Sequence, residues 1–271
     1  MIRQAIIPLA GQGTRLLPLS GVFPKELLPI NGRPGIEYII EECIQAGIKE
    51  IIFIISKKKA LIKKYFYNDN FYKKIIRDKK DKRIIKEYNK ILKYRKMIRF
   101  VYQNKPMGTG DAVLKTKNLI KDKYFLMLLP DDLIIRKNCS KNMISIHKKY
   151  KCSVMASIKI NKKNVKRWGI YSVQSKINKN NFFIDDVIEK PEINKAPSNN
   201  AVIGRYILPK KIFKKLKKQK KGKGGEVHIT DSIRKLIKEG NVFIGYKFNG
   251  KYLDCGTMQG YINSSLEISK I

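Results

Sequence analysis

Four short apolar runs punctuate the first half of the chain, and each is followed by a stretch that reads as helix. They are AIIPL (5–9), EIIFIIS (50–56), IRFVYQ (98–103) and YFLMLLPDDLII (124–135). The runs are continuously apolar instead of alternating, so each strand must be covered on both faces. Helical stretches at 36–46, at 57–93 and from Asp111 supply that cover. The pattern predicts a doubly wound, Rossmann-like α/β fold: three layers, with a mixed, mostly parallel sheet between helices. After residue 150 the texture changes to closely spaced strand-like runs, CSVMASIKI, GIYSV, FFIDDVIEK and NAVIGRYIL. Helices near 210–217 and 230–239, a strand VFIGYKF and a helix after Gly256 follow. These later strands are expected to extend the same sheet. With no internal repeat, 1–271 reads as one domain of two halves, 1–150 and 151–271.

Charge and cysteines bound the class. The chain has 59 Lys and Arg against 22 Asp and Glu, a net charge of +37. Such an excess ordinarily points to nucleic acid. Here, however, the lysines are spread along the chain among Ile and Asn, not gathered into one arm, and we read them as solvated faces; a nucleic-acid partner is not expected. Cys43, Cys139, Cys152 and Cys255 have no CxxC spacing, which indicates neither a zinc site nor a disulfide framework. No apolar run approaches a membrane span of about 20 residues and no signal pattern opens the chain, so a cytoplasmic enzyme is expected.

The loop after the first strand, AGQGTR (10–15), starts like a dinucleotide-binding turn but has Leu16 where the third glycine of that fingerprint would stand. Its glycines let backbone N–H groups approach a ligand, and Arg15 adds a planar fork for phosphate oxygens, so a triphosphate suits it better than an NAD pyrophosphate. Lys25 offers a second cation. Asp131 and Asp132, read as ending the 124–135 strand at the same carboxyl edge, and Asp254 in YLDCGT are carboxylates of the kind that hold Mg²⁺ together with phosphate and water.

The set AGQGTRLLPLSGVFPKELLPI, LPDDLI, VIEKPE, NAVIGRYIL, GGEVHITDSI and LDCGT, in this order, resembles the sugar nucleotidyltransferase family, in its bacterial UTP–glucose-1-phosphate uridylyltransferase branch, over nearly the whole chain. The resemblance implies the nucleotidyltransferase fold, with a nucleotide-binding first half and a sugar-binding second half, UTP and glucose-1-phosphate as substrates, Mg²⁺ as cofactor, and a homo-oligomer, dimer or tetramer. By residue, it implies that Ala10, Gly11 and Gly13 contact the nucleotide, that Gln103 and Gly108 read the base, and that Gly169 and Glu189 hold the sugar. Arg15, Lys25 and Lys190 would act on the phosphates, and Asp131 and Asp254 on the metal. The chain departs from the family at Asp111, where histidine is common, and at His228, where glutamine is usual. Two other readings stay open: a noncatalytic regulatory paralogue, which the retained Arg15 and Glu226 disfavour, and a dTTP-using thymidylyltransferase.

Overall fold

The computed structural model describes residues 1–271 except for the side chain of Lys223. In chain order, strand β1 (Gln4–Pro8) is followed by a small hairpin, β2 (Pro29–Ile30) and β3 (Arg33–Pro34), then helix α1 (Gly35–Gln45) and β4 (Glu50–Ile55). The Lys-rich segment forms three helices, α2 (Ala60–Tyr67), α3 (Asp69–Lys79) and α4 (Lys82–Met97), before β5 (Ile98–Tyr102). Next come α5 (Thr109–Leu114), β6 (Tyr124–Leu128), β7 (Asp132–Ile135), α6 (Cys139–Tyr150) and β8 (Ser153–Lys159). The hairpin β9 (Gly169–Lys176) and β10 (Asn181–Glu189) precedes β11 (Asn200–Pro209), α7 (Ile212–Lys217), α8 (Ile229–Lys238), β12 (Phe243–Lys247), β13 (Lys251–Asp254) and α9 (Met258–Ile268).

Nine strands form one mixed sheet in the order β5-β4-β1-β6-β11-β8-β12-β10-β9. The neighbours β5, β4, β1 and β6 run parallel, as do β8 and β12, while β11 is antiparallel to both β6 and β8. Strands from the second half thus extend the sheet of the first. The apolar runs are continuous because alternate residues enter different cores. From β4, Ile51, Phe53 and Ile55 join one buried cluster with Ile36, Ile39 and Ile40 of α1; Ile52 and Ile54 join another with Ala112 and Val113 of α5. Helix α8 shows the matching helical period, burying Ile229, Ile233, Leu236 and Ile237, each contributing roughly 2 kcal/mol by removal from water. By contrast α3 buries no residue, which is where lysines accumulate at no cost to the core.

Two local expectations are corrected. The 124–135 run is not one strand: it breaks at residues 129–131, and β7 leaves the main sheet to pair with β13 as a separate antiparallel ribbon, Asp132 opposite Asp254. Pro130, with no N–H to continue a ladder, sits at the break. Asp131 therefore lies in a turn. Helix α5 begins at Thr109, two residues before Asp111.

Candidate active site

The loops after β1, β5 and β6 leave the sheet at one edge, the carboxyl ends of parallel strands, where an α/β sheet offers a crevice. The β9–β10 hairpin closes the other side, because Ile170 pairs with Ala201 at the start of β11 and brings the Gly169–Glu189 end of the hairpin back beside the loops. The result is a cavity of about 700 Å³ whose walls include Ala10, Gly11, Gly13, Arg15, Lys25, Gln103, Gly108, Asp131, Gly169, Glu189 and Lys190. Asp254 alone of the expected residues does not form the wall; it stands behind Gly256, which does.

Charge in the crevice is already paired. Lys25 Nζ lies 2.6 Å from Asp131 Oδ2, and Arg15 Nη2 lies 3.6 Å from the same oxygen. Burial alone would lower the pKa of Lys25, but Asp131 outweighs it and the ammonium is held above its ordinary value. Burial would likewise raise Asp131, yet Lys25 and then Arg15 bring it below the usual carboxylate range. Asp254 accepts from Arg167 Nη2 at 2.6 Å and, through Oδ1, from the N–H of Gly256 at 2.9 Å. A Cβ on Gly256 would stand 2.8 Å from both Arg15 Nη2 and Asp131 Oδ2 and 3.1 Å from Asp254 Oδ1. Two carboxylates and a guanidinium thus converge on a point kept open only by the absence of a side chain.

Around the positions expected to read the base, Gln103 is buried and its Nε2 donates to Asp111 Oδ2 at 2.7 Å and to the carbonyl of Gly108 at 3.2 Å. Gly108 has φ +97, and a Cβ there would meet the backbone O and N of Val227 at 2.7 and 2.9 Å, so only glycine fits. On the opposite wall Glu189 Oε2 lies 3.4 Å from the Cβ position of Gly169, and His228 Nδ1 is 3.8 Å from Glu189 Oε1. Lys190 holds a left-handed backbone, φ +44, with its N–H donating to the carbonyl of Trp168 at 3.0 Å. A lysine in that region costs about 1 kcal/mol, a strain of the kind found at ligand sites.

Asp132 differs from its neighbour in kind. Its carboxylate is buried, accepting from the Gly204 N–H at 2.8 Å and the Tyr252 hydroxyl at 2.6 Å, and burial, with the charge of Asp131 next door, pushes its pKa up to about 6. It pins the β7–β13 ribbon to β11. Cys255 is a buried thiol pushed up to about 12 by burial, which makes it unreactive. Sequence reasoning missed Arg167, whose guanidinium also lies over the Trp168 ring at 4.6 Å, and the buried Glu26–Lys59 pair, whose two contacts of 2.7 and 2.8 Å anchor the turn that carries Lys25. Each partner is far away in sequence and one basic residue among 59 carries no local signal; the only hint for Arg167 was its place beside Gly169.

The nucleotidyl transferase family model matches residues 4–271, nearly the whole chain. The chain belongs to the nucleotidyl transferase family. Among its relatives, a UTP–glucose-1-phosphate uridylyltransferase of Streptococcus pyogenes serotype M3 is 36% identical, covering 98% of this chain and 90% of that protein. One from Pseudomonas aeruginosa is 34% identical, over 98% of this chain and 95% of that protein. A solved UDP-glucose pyrophosphorylase in complex with UDP-glucose superposes with a TM-score of 0.87 at 35% identity, covering 100% of this chain and 99% of that one. The UTP-bound pyrophosphorylase of Acinetobacter baumannii gives 0.87 at 32% identity, over 99% and 93%. The resemblance read from the motifs, and the nucleotidyltransferase fold it implied, are borne out.

Proposed function

We propose that this nucleotidyl transferase moves UMP from UTP to glucose-1-phosphate, giving UDP-glucose and pyrophosphate. The observation that carries the proposal is the convergence of Arg15, Lys25, Asp131, Gln103, Glu189 and Lys190 on one cavity, in a chain whose relatives carry that activity in their names.

The chemistry suits the residues present. The phosphate of glucose-1-phosphate is largely dianionic at neutral pH, its second pKa being about 6, and needs no general base. One of its oxygens bonds to the α-phosphorus of UTP while the bond from that phosphorus to the bridging oxygen breaks, and pyrophosphate leaves with the electron pair. The obstacle is repulsion between two polyanions. Arg15 on the nucleotide loop and Lys190 on the facing hairpin stand on opposite walls and can bind the two phosphate groups in line. Glu189 accepts from sugar hydroxyls and Gln103 holds the base.

Asp131 and Asp254 are the residues that would hold a divalent metal: Asp131 Oδ2 and Asp254 Oδ1 lie 2.8 and 3.1 Å from the same Cβ position of Gly256, and a cation beside them would take the place of the Lys25 and Arg15 contacts to Asp131. Two carboxylates are few for a self-sufficient site, but they suit Mg²⁺ shared with phosphate oxygens and water. When bound, such a cation supplies positive charge to the triphosphate and lowers the repulsion that opposes attack.

Purified protein with Mg²⁺ and a panel of nucleoside triphosphates and sugar phosphates, scored by pyrophosphate release, tests the proposal. The expected result is preference for UTP with glucose-1-phosphate. Faster turnover of dTTP would move the chain to thymidylyl transfer; no release with any pair would leave a noncatalytic relative.

A further inference from the structure

We infer that Asp111 fixes which end of the Gln103 amide faces the base, and is thereby a positioning residue for uracil over cytosine. The inference rests on the uridylyl reading above.

A glutamine amide has a donating and an accepting end, and rotation by half a turn exchanges them. For a base-reading glutamine this choice decides specificity. The Watson–Crick edge of uracil presents N3–H, a donor, where cytosine presents N3, an acceptor. Here both N–H bonds of Gln103 Nε2 are directed into the protein, to Asp111 Oδ2 at 2.7 Å and to the Gly108 carbonyl at 3.2 Å. A carboxylate and a peptide carbonyl can only accept, so the end of the amide facing them must be NH₂. Oε1 receives no hydrogen bond from any described residue. It is the polar atom that Gln103, a wall residue of the cavity, has left for a ligand. A fixed acceptor takes N3–H of uracil and opposes the lone pair of cytosine N3.

The shorter of the two contacts belongs to Asp111. Without it, only the longer bond to Gly108 resists rotation. Asp111 is itself well placed to hold still: it lies in the first turn of α5, Lys115 Nζ stands 3.6 Å from its other oxygen, and the helix start is locked by the Gly110 N–H donating to the Val227 carbonyl at 2.7 Å. Thymine has the same N3–H as uracil, so this device separates uracil from cytosine and is blind to the thymine methyl.

The test compares kcat/KM for UTP, CTP and dTTP, with glucose-1-phosphate, in the wild type, Asp111→Ala and Asp111→Asn. Asp111→Ala is expected to lower the UTP:CTP ratio by about tenfold, the worth of one mispaired buried polar contact, and to leave UTP:dTTP unchanged. Asp111→Asn, which can still turn a carbonyl towards Gln103, is expected to keep most of the UTP:CTP ratio. An unaltered UTP:CTP ratio in Asp111→Ala, or an equal fall for all three nucleotides, overturns the inference and reduces Asp111 to a helix-start acid. Should the alanine variant lose its melting transition, Asp111→Ser carries the same comparison. A wild-type protein inactive with UTP would sink the proposed function instead, so the two failures are distinguishable.

Discussion

Lys25 Nζ lies 2.6 Å from Asp131 Oδ2, so a cation expected on the phosphates and a carboxylate expected on the metal hold one another. The pairing changes what Asp131→Asn should do. Asparagine is nearly isosteric, yet it leaves an ammonium in a largely buried place without its counter-charge, a loss of about 3 kcal/mol. A lower melting temperature, together with collapsed activity that higher Mg²⁺ partly restores, is expected. The double variant Lys25→Met with Asp131→Asn should regain much of the stability and none of the activity. A single Asn variant that melts like the wild type would disprove the pairing in solution.

Asp132→Asn should behave in the opposite way. Asparagine can accept from the Gly204 N–H and donate to the oxygen of Tyr252, keeping the two contacts of the buried carboxylate. Because burial raises the folded pKa to about 6, above the unfolded value, the stability this group contributes is present at low pH and is lost as pH rises through about 6. The melting temperature of the variant, measured without metal, should gain on the wild type from pH 4 to 6 and hold its lead above that. A lead that shrinks with rising pH would contradict the assignment.

Lys190 offers a separation of fold from function. Its φ of +44 suits glycine, so Lys190→Gly should leave stability unchanged or raise it by about 0.5–1 kcal/mol while removing the ammonium from the cavity wall. Turnover should fall by two orders of magnitude or more, about the worth of a charge-assisted contact made in the transition state. Lys58→Gly and Lys148→Ala, changes to exposed lysines outside the cavity, are the controls. Equal activities in all three would remove Lys190 from the machinery.

Gly256→Ala places a methyl group 2.8 Å from Arg15 Nη2 and Asp131 Oδ2. The atoms it meets end side chains, so the fold should survive at a cost of about 1–3 kcal/mol. The convergence of Asp131 and Asp254 should not. Titration of activity with Mg²⁺ is expected to show a raised requirement for the metal; an unchanged Mg²⁺ curve would mean that the two carboxylates do not share an ion.

Most of the strands and glycine loops were legible because their signals are local. Ile51 to Ile55 read as a doubly covered strand from five adjacent residues, and Gly11-Gln12-Gly13 announces a loop within three. Pro130 was a local sign of the break before Asp132, but where residues 132–135 go was not legible, since what draws them away from the sheet is a partner at 251–254. The same holds for Arg167 and Asp254, which meet across 87 positions, and for Gln103, whose neighbour Asp111 is near in sequence but is turned towards it only by the Gly108 bend.

In the proposed reaction, the β7–β13 ribbon would set when a growing chain first becomes active. Asp132 is paired with Asp254, and Asp254 and Gly256 complete a cradle begun by Arg15 and Asp131. The parallel strands β1, β4, β5 and β6 lie within the first 128 residues and can collapse together early in synthesis, as amino-terminal units do. Once residue 131 has followed, that early unit would hold Arg15, Lys25 and Asp131 against one another with no second carboxylate and no facing hairpin. In the proposed reaction, chemistry would therefore wait for the last stretch of chain to dock, and a chain cut short at residue 250 would lack Asp254 and Gly256.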